Sequence, residues 1–420
     1  MNRDRTIGTV KESTPRIGSI ILSERPINVV HVEVGGSYGG SLRALEIYLR
    51  YSDPNRFTHD VLFYYHTPGA ERLECVARKV VTLYNAVSEQ SQPLSEAVRA
   101  RPWTRFKSTT VGRWLVEIRN WTGVITALGT ARRIANLLRQ EQYDVVHVNN
   151  TFTYQVPSLL AAKRAGIPVL AHVRNPVPQG RLNRTLLHWT DSVVAVSPIL
   201  EGELRSWGLD KPFHTCHDGV EPPVADTMAA AAWRASLLPT GEILVGSVGR
   251  LDEQKGYHDL IWAARLVVDA RPDVRFAVAG EGPLRQSLET LIAKLDLGDH
   301  FRLCGFRTDI ANFLGALDLF VCSSRWEGGP LVVIEAMALA KPVVSTRVGF
   351  TPNIVLAGVT GELVSVGDPK ALASAILEAL HCHRQAAYNP RKAVEIAAEW
   401  SDPVASAKMT DNLLSELAGQ

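Results

Sequence analysis

The sequence predicts an α/β protein built from two doubly wound domains. A chain of 420 residues is longer than one hydrophobic core usually supports, which favours two domains. Short runs rich in β-branched residues alternate with helical patterns, and several of these runs are apolar almost throughout. That pattern is typical of parallel strands buried on both faces. The alternation stops once, at residues 222–241, and then begins again.

The two series of strands define the predicted organisation. We expect a mobile tail over residues 1–25, a first domain over 26–221, a connection with a short helix at 222–241 and a second domain over 242–401. The predicted strands are 27–34, 59–65, 79–84, 144–150, 168–174 and 191–197 in the first series, and 242–250, 274–280, 301–305, 317–324, 342–348 and 361–366 in the second.

The composition argues against several classes of protein. A net charge of +2 disfavours a globally basic nucleic-acid binder. No run reaches the roughly 18 apolar residues of a membrane-spanning helix, and the first 25 residues lack the apolar stretch of a secretory signal. The five cysteines are scattered and form no C-x-x-C pair, so neither a zinc site nor a disulfide framework is expected. These features fit a protein of the reducing cytoplasm.

Ligands of doubly wound sheets bind where strands end and helices begin, so those loops hold the candidate site residues. The first such loop, "VGGSYGGSLR", places Gly35, Gly36, Gly39 and Gly40 before a helix. Glycines let backbone N–H groups approach a phosphate, and a helix N-terminus favours an anion. The spacing differs from G-x-G-x-x-G, which disfavours an NAD site. A tight strand–helix turn explains the glycines equally well.

Basic side chains follow two further strands. His172, in "LAHVRN", could hydrogen-bond a substrate hydroxyl as a neutral imidazole, although a lone histidine there is more often structural. Arg174 beside it suits either a phosphate or an ordinary surface position. Arg250 and Lys255, in "GRLDEQKG", lie between a strand and a helix and could hold the oxygens of a departing diphosphate. A solvated loop is the alternative for these two cations.

Two loops of the second domain suit a nucleotide. "GEGP" places Gly280 and Gly282 at a strand end, with Pro283 suited to a first helical position. These residues also suit an ordinary turn between a strand and a helix, so they do not by themselves indicate a ligand. "GFRTD" contains Phe306 and Arg307, which could border a nucleobase.

The stretch "RWEGGPLVVIEAMALAKPVV", residues 325–344, holds Glu327 and Glu335 with seven residues between them. Glu327 is predicted in the loop after a strand, and Glu335 inside the helix that Pro330 begins. The helix N-terminus can hold a diphosphate, while Glu335 accepts from two ribose hydroxyls and Glu327 from those of a sugar. The N–H groups assigned to the diphosphate belong to Gly328, Gly329, Leu331 and Val332.

Together these stretches resemble the retaining glycosyltransferases of family 4 (glycosyl transferases group 1), which have the GT-B fold of two Rossmann-like domains facing a central cleft. The resemblance covers residues 27–415. Its most specific part, "EGGPLVVIEAMALAKPVV", looks like the E-x7-E signature of that family, and "SYGGSLRALE", "DGVE", "GRLDEQKG" and "GEGP" follow its order and spacing. "EWSDPVASAKMTDNLLSEL" resembles the family's closing helix, so residues 402–419 are expected to cross back to the first domain.

The resemblance implies a role for each matching residue. Glu327 binds hydroxyls of the donor sugar and Glu335 binds the ribose. Arg250 and Lys255 stabilise the leaving diphosphate, and His172 lies near the transferred sugar. The implied donor-binding set is completed by Gly39, Gly40, Gly280, Gly282, Phe306, Arg307, Gly328, Gly329, Leu331 and Val332.

The implied activity is transfer of a hexosyl group from a nucleoside-diphosphate-sugar to an acceptor hydroxyl, with retention, in polysaccharide or glycolipid biosynthesis. Positioned cations and helix N–H groups would stabilise the charge that the leaving group gains. The chain contains no Asp-x-Asp, so no metal is expected, and the nucleotide-sugar is the only small molecule required. The alternatives are a hydrolase or epimerase of nucleotide-sugars, a non-catalytic nucleotide-sugar-binding protein and an NAD-dependent dehydrogenase.

Four positions depart from the family's pattern. Gly329 stands where a bulky apolar residue is usual, and Lys341 where glycine is common. The family's GG-x-P-E loop reads "GFTPN" here, with Phe350 for glycine and Asn353 for glutamate. We expect these departures to affect the identity of the donor more than the activity.

A local concentration of positive charge lies in the first domain. Residues 98–140 contain nine Lys or Arg against one acid, Glu117, together with Trp103, Trp114 and Trp121. Basic residues interleaved with aromatic ones suit the headgroup region of an anionic membrane. The resemblance implies a glycan or lipid-linked acceptor, so this segment predicts peripheral binding at the inner face of the plasma membrane. A solvated helical insertion is the alternative.

Overall fold

The computed structural model describes residues 25–34, 39–67, 69–84, 127–238, 242–384 and 388–419. They form two sheets in which all neighbouring strands run parallel. The first sheet contains β1 (Ile27–Glu33), β2 (Phe57–Tyr65), β3 (Lys79–Tyr84), β4 (Val145–Val148), β5 (Val169–Val173), β6 (Ser192–Ala195) and β7 (Phe213–Thr215). The second contains β8 (Ile243–Val248), β9 (Val274–Ala279), β10 (Phe301–Leu303), β11 (Leu319–Cys322), β12 (Val343–Thr346) and β13 (Gly361–Val364).

Both sheets are doubly wound. The strand order is β3-β2-β1-β4-β5-β6-β7 in the first sheet and β10-β9-β8-β11-β12-β13 in the second. The order therefore reverses between β1 and β4, and again between β8 and β11. A ligand crevice is expected beyond the carboxyl ends of the strands at each of these points. The predicted α/β class with two Rossmann-like units is confirmed.

Helices connect the strands and cover the sheets. In the first unit they are α1 (Gly40–Tyr51), α2 (Leu128–Gln140), α3 (Val156–Ala165), α4 (Arg181–His188) and α5 (Pro198–Arg205). The later helices are α6 (Thr227–Leu237), α7 (Tyr257–Ala270), α8 (Arg285–Lys294), α9 (Ile310–Ala316), α10 (Leu331–Ala338), α11 (Thr351–Ile354), α12 (Pro369–Arg384), α13 (Pro390–Trp400) and α14 (Pro403–Ala418). None of the described helices is long and apolar enough to cross a bilayer.

The strands are mostly apolar because both of their faces are buried. Val29 and Val30 of β1 are at most 1% exposed, and successive side chains of a strand point to opposite faces. Val29 packs in the cluster that contains Leu45 of α1, and Val30 packs in the cluster that contains Ile134 of α2. Helices therefore cover both faces, as parallel sheets require.

The last helix, α14, packs against α1 of the first unit. Asp411 of α14 accepts hydrogen bonds from Tyr48 Oη and Ser52 Oγ, each at 2.7 Å. Burial raises the pKa of the Asp411 carboxyl, and these hydrogen bonds act against that rise. The C-terminal helix is thus attached to the first unit by specific polar contacts as well as by apolar packing.

The chain passes between the two units twice, and the two crossing points contact each other. The Val220 amide donates to the Ser401 carbonyl at 2.9 Å. The ring of His217 lies 4.1 Å from that of Trp400, which lies 5.8 Å from the ring of Phe350. These three rings form an aromatic junction beneath the cleft.

One strand, β7, was not predicted from the sequence. β7 contains only Phe213, His214 and Thr215, and it pairs with β6 alone, at the edge of the sheet. Three residues with one buried side chain give no period that a sequence pattern can reveal. The predicted helix start at Pro330 also differs by one position, because Pro330 is the residue that precedes α10.

Candidate active site

The candidate site lies where the carboxyl ends of the two sheets meet. Gln254, in the loop after β8, donates to Asn175 of the first unit at 3.2 Å. A Cβ atom on Gly328 would overlap the carbonyl of Arg174, so the chain after β11 passes directly against the chain after β5. The loops that follow β8 and β11 therefore face the first unit at the reversal point of the second sheet.

Glu327 and Lys255, which the sequence analysis assigned to one site, are in direct contact. Lys255 Nζ lies 2.6 Å from Glu327 Oε1, and Ser324 Oγ donates to the same oxygen at 2.9 Å. Gln254 Nε2 donates to Glu327 Oε2 at 3.0 Å. The Glu327 side chain is only 7% exposed. Both carboxylate oxygens of Glu327 therefore accept hydrogen bonds: Oε1 accepts from Lys255 and Ser324, and Oε2 accepts from Gln254.

Local turn chemistry brings Lys255 to this position. The Asp252 carboxylate accepts from the Gln254 amide at 3.1 Å and caps a short 3₁₀ turn that ends at Lys255. Gly256 then adopts a left-handed conformation, with φ of 65°, which is available to glycine without strain. A Cβ atom on Gly256 would also overlap the Ser323 carbonyl. Glycine at this position lets the loops after β8 and β11 touch.

Electrostatics keep the Lys255 ammonium charged. Burial acts to lower the pKa of Lys255, but the charge and hydrogen bond of Glu327 outweigh it and raise the pKa above its ordinary value. An ammonium group has three N–H donors, and Glu327 accepts from one of them. The charged group can therefore also bind an anion in the cleft.

Arg250 lies in the same loop as Lys255 but is more exposed. Its side chain is 51% exposed, and its Nε lies 3.8 Å from Asp252 Oδ2. Burial raises the pKa of the Asp252 carboxyl, whereas Arg250 and Lys255 lower it. The loop thus presents one half-buried cation, Lys255, and one exposed cation, Arg250, to the cleft.

The helix α10 brings its N-terminus and Glu335 to the opposite wall of this site. Glu335 is 4% exposed, and its Oε1 lies 2.5 Å from Nη1 of Arg43, which belongs to α1 of the first unit. Burial raises the pKa of the Glu335 carboxyl, and Arg43 opposes that rise. The sequence analysis did not identify Arg43, because nothing in the pattern around it indicates a partner in the other unit.

Gly329 and Phe350, two of the positions that depart from the family pattern, lie against each other. A Cβ atom on Gly329 would overlap the ring of Phe350, and Phe350 is 1% exposed. The aromatic ring therefore fills the volume in which a larger side chain at position 329 would lie. The position of the Phe350 ring thus requires glycine at position 329, and Gly328, Gly329, Leu331 and Val332 lie at the N-terminal end of α10.

A buried polar network lies at the strand ends of the first unit. Asn149, directly after β4, donates to Glu33 at the end of β1 and accepts from Arg174. Arg174 Nε also donates to Asp218 Oδ2 at 2.9 Å. Burial raises the pKa of Glu33 to about 7, although the Asn149 hydrogen bond and the Arg174 charge lower it. The carboxyl of Glu33 thus lies at the reversal point between β1 and β4.

His172 adjoins this network and is neutral. Burial, together with the charge of Arg174, lowers its pKa well below the ordinary value. Its Nδ1 lies 3.4 Å from Arg174 Nη2, and because a guanidinium only donates, Nδ1 is the acceptor and Nε2 carries the proton. Among the described residues, Nε2 has no hydrogen-bond partner, and it lies 3.7 Å from Asp218 Oδ1.

The remaining predicted residues border the cleft loops. Gly39 and Gly40 begin α1, and open space surrounds the position of a Cβ atom on each. Gly35 and Gly36 lie outside the described residues. A Cβ atom on Gly280 or Gly282 would overlap the backbone of residues 249–251, so these two glycines support the loop that carries Arg250.

Phe306 and Arg307 differ in their surroundings. Phe306 is 70% exposed and can receive a planar ring. Arg307 lies over the ring of Trp233 at 4.8 Å and donates to the Cys304 carbonyl at 3.1 Å. In the described part of the chain, no group of three histidines, cysteines or carboxylates is placed to hold a metal ion.

Two family models match the chain. The one described as "Glycosyl transferases group 1" matches residues 231–398, and the one described as "Glycosyltransferase Family 4" matches residues 122–223. Together they span more than half of the chain and parts of both units. The chain belongs to the family 4 (group 1) glycosyltransferases. The predicted family and the GT-B fold are thereby confirmed.

Relatives of the glycosyltransferase carry several different activities in their names. The lipopolysaccharide core biosynthesis mannosyltransferase LpsB of Rhizobium meliloti is 33% identical over 205 residues, which are 46% of this chain and 56% of that protein. The match thus spans little more than half the length of that relative. The N-acetyl-alpha-D-glucosaminyl L-malate synthase of Bacillus anthracis is 26% identical over 286 residues, or 64% of this chain and 74% of that one.

Solved structures share the fold of the glycosyltransferase. The crystal structure of Anabaena HepE in complex with UDP-glucose matches with a TM-score of 0.73 and 21% identity, over 93% of this chain and 100% of that one. Sucrose-phosphate synthase from Thermosynechococcus elongatus matches with a TM-score of 0.69 and 20% identity, over 94% and 99% respectively. At these identities the likeness concerns the arrangement of the two units.

Proposed function

We propose that this glycosyltransferase transfers a hexosyl group, with retention, from a nucleoside-diphosphate-sugar to a hydroxyl of a growing polysaccharide or glycolipid. The observation that carries the proposal is the Lys255–Glu327 pair, which lies beside the N-terminus of α10 with Glu335 in the same helix. A cation, an anion-binding helix end and two carboxylates are the groups that recognise a nucleoside diphosphate with a sugar at each end.

Each group has a separate task in the proposed reaction. The N–H groups at the start of α10 and the charges of Lys255 and Arg250 bind the diphosphate. They stabilise it most when the glycosidic bond to phosphate breaks and negative charge collects on the leaving oxygen. Glu327, held by Lys255 and Gln254, accepts from hydroxyls of the donor sugar. Glu335 accepts from the ribose, and His172 lies near the transferred sugar.

The acceptor would bind on the side of residues 26–221 and the donor on the side of residues 242–401. LpsB is named for lipopolysaccharide core biosynthesis and HepE was crystallised with UDP-glucose, which supports a glycan acceptor and a nucleotide-sugar donor. The N-acetyl-alpha-D-glucosaminyl L-malate synthase is named for a product that contains a small acid, so the acceptor class needs a direct test.

A nucleotide screen tests the donor. A nucleoside diphosphate at 100 times its Kd should stabilise the folded chain by about 2.7 kcal/mol, which a thermal-shift assay of UDP, GDP, ADP and their sugars detects. Proton NMR of the product then reports the configuration of the new glycosidic bond. Release of free sugar without any acceptor product would favour a nucleotide-sugar hydrolase, and an inverted product would contradict retention.

We also propose peripheral binding to an anionic membrane. Of the basic aromatic segment 98–140, only residues 127–140 lie within the described part. There α2 presents Arg132, Arg133 and Arg139 to solvent. Arg132, Lys163 and Arg164 border an apolar groove between α2 and α3 of about 260 Å³, which suits an anionic lipid.

Vesicle sedimentation tests this binding. The chain should sediment with anionic vesicles at low salt and be released as salt rises, since each nearby cation contributes about 1 kcal/mol that salt screens. Changing Arg105, Lys107 and Arg113 together to Glu should abolish sedimentation and leave nucleotide binding unchanged. Equal recovery with neutral and anionic vesicles would instead support a soluble acceptor.

A further inference from the structure

The ion pair between Arg43 and Glu335 joins the two units across the cleft. Arg43 lies in the first turn of α1, shortly after the glycine loop, and its Nη1 is 2.5 Å from Oε1 of Glu335 in α10. The Glu335 side chain is 5% exposed and that of Arg43 is 40% exposed. A buried carboxylate of the second unit therefore receives its counter-ion from the first unit.

Within the described residues, Arg43 is the charged side chain that acts on Glu335. Burial raises the pKa of the Glu335 carboxyl, and the charge and hydrogen bond of Arg43 lower it. The elements that pack on α10 are β11, β12 and α13, and within the described part of the chain Arg43 is the only charge that lowers the pKa of this carboxyl. The ionised state of Glu335 thus depends on a residue of the opposite unit.

We propose that Arg43 is a positioning residue of the donor site, which holds the Glu335 carboxylate for the ribose of the nucleotide from the opposite side of the cleft. The inference rests on the proposed function, because it takes Glu335 as the residue that binds ribose. An ionised carboxylate offers about four acceptor positions. Arg43 uses one of them, which leaves room for the 2′ and 3′ hydroxyls.

The charge state of Glu335 matters because the two ribose hydroxyls both need a hydrogen-bond acceptor. A protonated carboxyl must itself donate through one oxygen and so accepts less well from a ribose diol. Arg43 keeps the Glu335 carboxylate ionised, so that both of its oxygens can accept hydrogen bonds. Ribose recognition then requires α1 and α10 to lie together, so that recognition of the nucleotide is coupled to the arrangement of the two units.

Substitution of Arg43 tests the proposal directly. Kd values for UDP, GDP and ADP, and for their 2′-deoxy counterparts, are measured by calorimetry at about pH 6 and pH 8 in the parent, Arg43→Gln, Arg43→Lys and Arg50→Gln. Arg50→Gln is the matched control, since Arg50 also lies on α1 and pairs with Glu46 and Glu221 instead of Glu335. Because Arg43 is partly exposed, its variants should fold.

Arg43→Gln should raise the Kd of the preferred ribonucleotide on the order of 10-fold at pH 6, and less at pH 8. The 2′-deoxynucleotide should lose much less affinity, Arg43→Lys should recover most of the loss, and Arg50→Gln should match the parent. An unchanged ribonucleotide Kd and pH profile, or an equal loss for both nucleotides, would overturn the role of Arg43 alone. Failure of the parent to bind any nucleotide would refute the proposed function and this inference with it.

Discussion

Among the individual residues of the site, Lys255 and Arg250 differ most in what surrounds them. Lys255 is 21% exposed and bonded to a Glu327 side chain that is 7% exposed, whereas half of the Arg250 side chain meets solvent. A buried ion pair adds little net stability, but removing one partner leaves an uncompensated charge. The two cations should therefore respond differently to substitution, even if they share a role in catalysis.

We predict that Lys255→Ala and Arg250→Ala each lower kcat on the order of 10²-fold or more, because each removes a charge that stabilises the leaving diphosphate. Lys255→Ala should also lower the free energy of unfolding by roughly 1–3 kcal/mol, since Glu327 loses its counter-ion. Arg250→Ala should leave it nearly unchanged. Steady-state kinetics and urea denaturation measure both quantities, and equal stability of the two variants would argue against the buried pair.

Residues of the candidate site could be predicted where one short stretch of sequence contains several of them at a characteristic spacing. Glu327 and Glu335 lie in one loop–helix stretch, and Lys255 lies in a strand–helix loop of the same unit. Arg43 was not predictable, because its partner lies in the other unit, and neither stretch contains a pattern that depends on the other. Glu33 and Asn149 were missed for the same reason, since their contact joins β1 to the residue after β4.

Among the elements, α10 and the loop after β12 pack closely against each other. The ring of Phe350 occupies the space beside Gly329 and contacts His217 and Trp400 at centroid distances of 6.2 and 5.8 Å. Protein interiors are close-packed, so a larger side chain at position 329 has no space unless the ring is removed. The pairing fixes the shape of the wall beside the proposed diphosphate site.

We predict that Gly329→Val destabilises the chain by about 1–3 kcal/mol through overpacking. The double variant Gly329→Val with Phe350→Gly should recover part of that loss, because it restores the combination of sizes that resembles the family pattern. Thermal denaturation of the two single variants and the double variant gives the coupling between the sites. Additive losses would show that the two positions are independent.

The strands illustrate how much of each element the sequence determines. Twelve of the strands were predicted because β-branched runs bounded by turns have few other stable structures in a chain of this composition. Their ends were less well predicted: β4, for example, covers residues 145–148, whereas the pattern suggested 144–150. The residues outside the observed strand are polar, namely Asp144, Asn149 and Asn150, and the sequence pattern alone does not show where the ladder hydrogen bonds of a strand end. β7 lacks any such run.

At the scale of the whole molecule, a line of buried histidines crosses the first sheet. His59, His31, His147 and His172 lie on four neighbouring strands, β2, β1, β4 and β5. His31 Nε2 lies 2.9 Å from His59 Nδ1, and His31 Nδ1 lies 2.7 Å from His147 Nδ1. The rings of His147 and His172 are 5.5 Å apart. The line thus runs from the interior of the sheet to the cleft.

The carboxylate of Asp411 fixes the tautomers of His59, His31 and His147, whereas Arg174 fixes that of His172. Ser52 Oγ donates to Asp411 and therefore accepts from His59 Nε2 at 2.9 Å. His59 Nδ1 must then accept from His31 Nε2, and His31 Nδ1 from His147 Nδ1, since a neutral imidazole has one donor and one acceptor. A proton added to Nδ1 of His59 or of His31 would place two donors against each other, whereas His147 Nε2 has no hydrogen-bond partner among the described residues. Burial disfavours the charged form of all four histidines.

Burial, the first cause in each case, lowers the pKa of His59 to about 4 and lowers the pKa values of the other three histidines well below their ordinary range. The unfolded chain binds protons at these histidines below about pH 6.5, whereas the folded chain does not. The stability that they contribute is thus complete above that pH and is lost as the pH falls towards 4. The pKa of Glu33 is raised to about 7 by burial. Protonation of Glu33 therefore increases the stability of the folded chain as the pH falls below about 7, which opposes the effect of the histidines.

We therefore predict that the free energy of unfolding falls between about pH 6.5 and pH 5, by about 1.4 kcal/mol per pH unit for each neutral histidine at the steepest part. In Glu33→Gln the opposing titration is absent, so its stability should fall more steeply than that of the parent. His188→Gln, on the exposed side of α4, is the control and should keep the parent's slope. Urea denaturation at several pH values measures these slopes. A stability that is flat or rises towards pH 5 in Glu33→Gln would show that the histidine line accepts protons within the folded sheet.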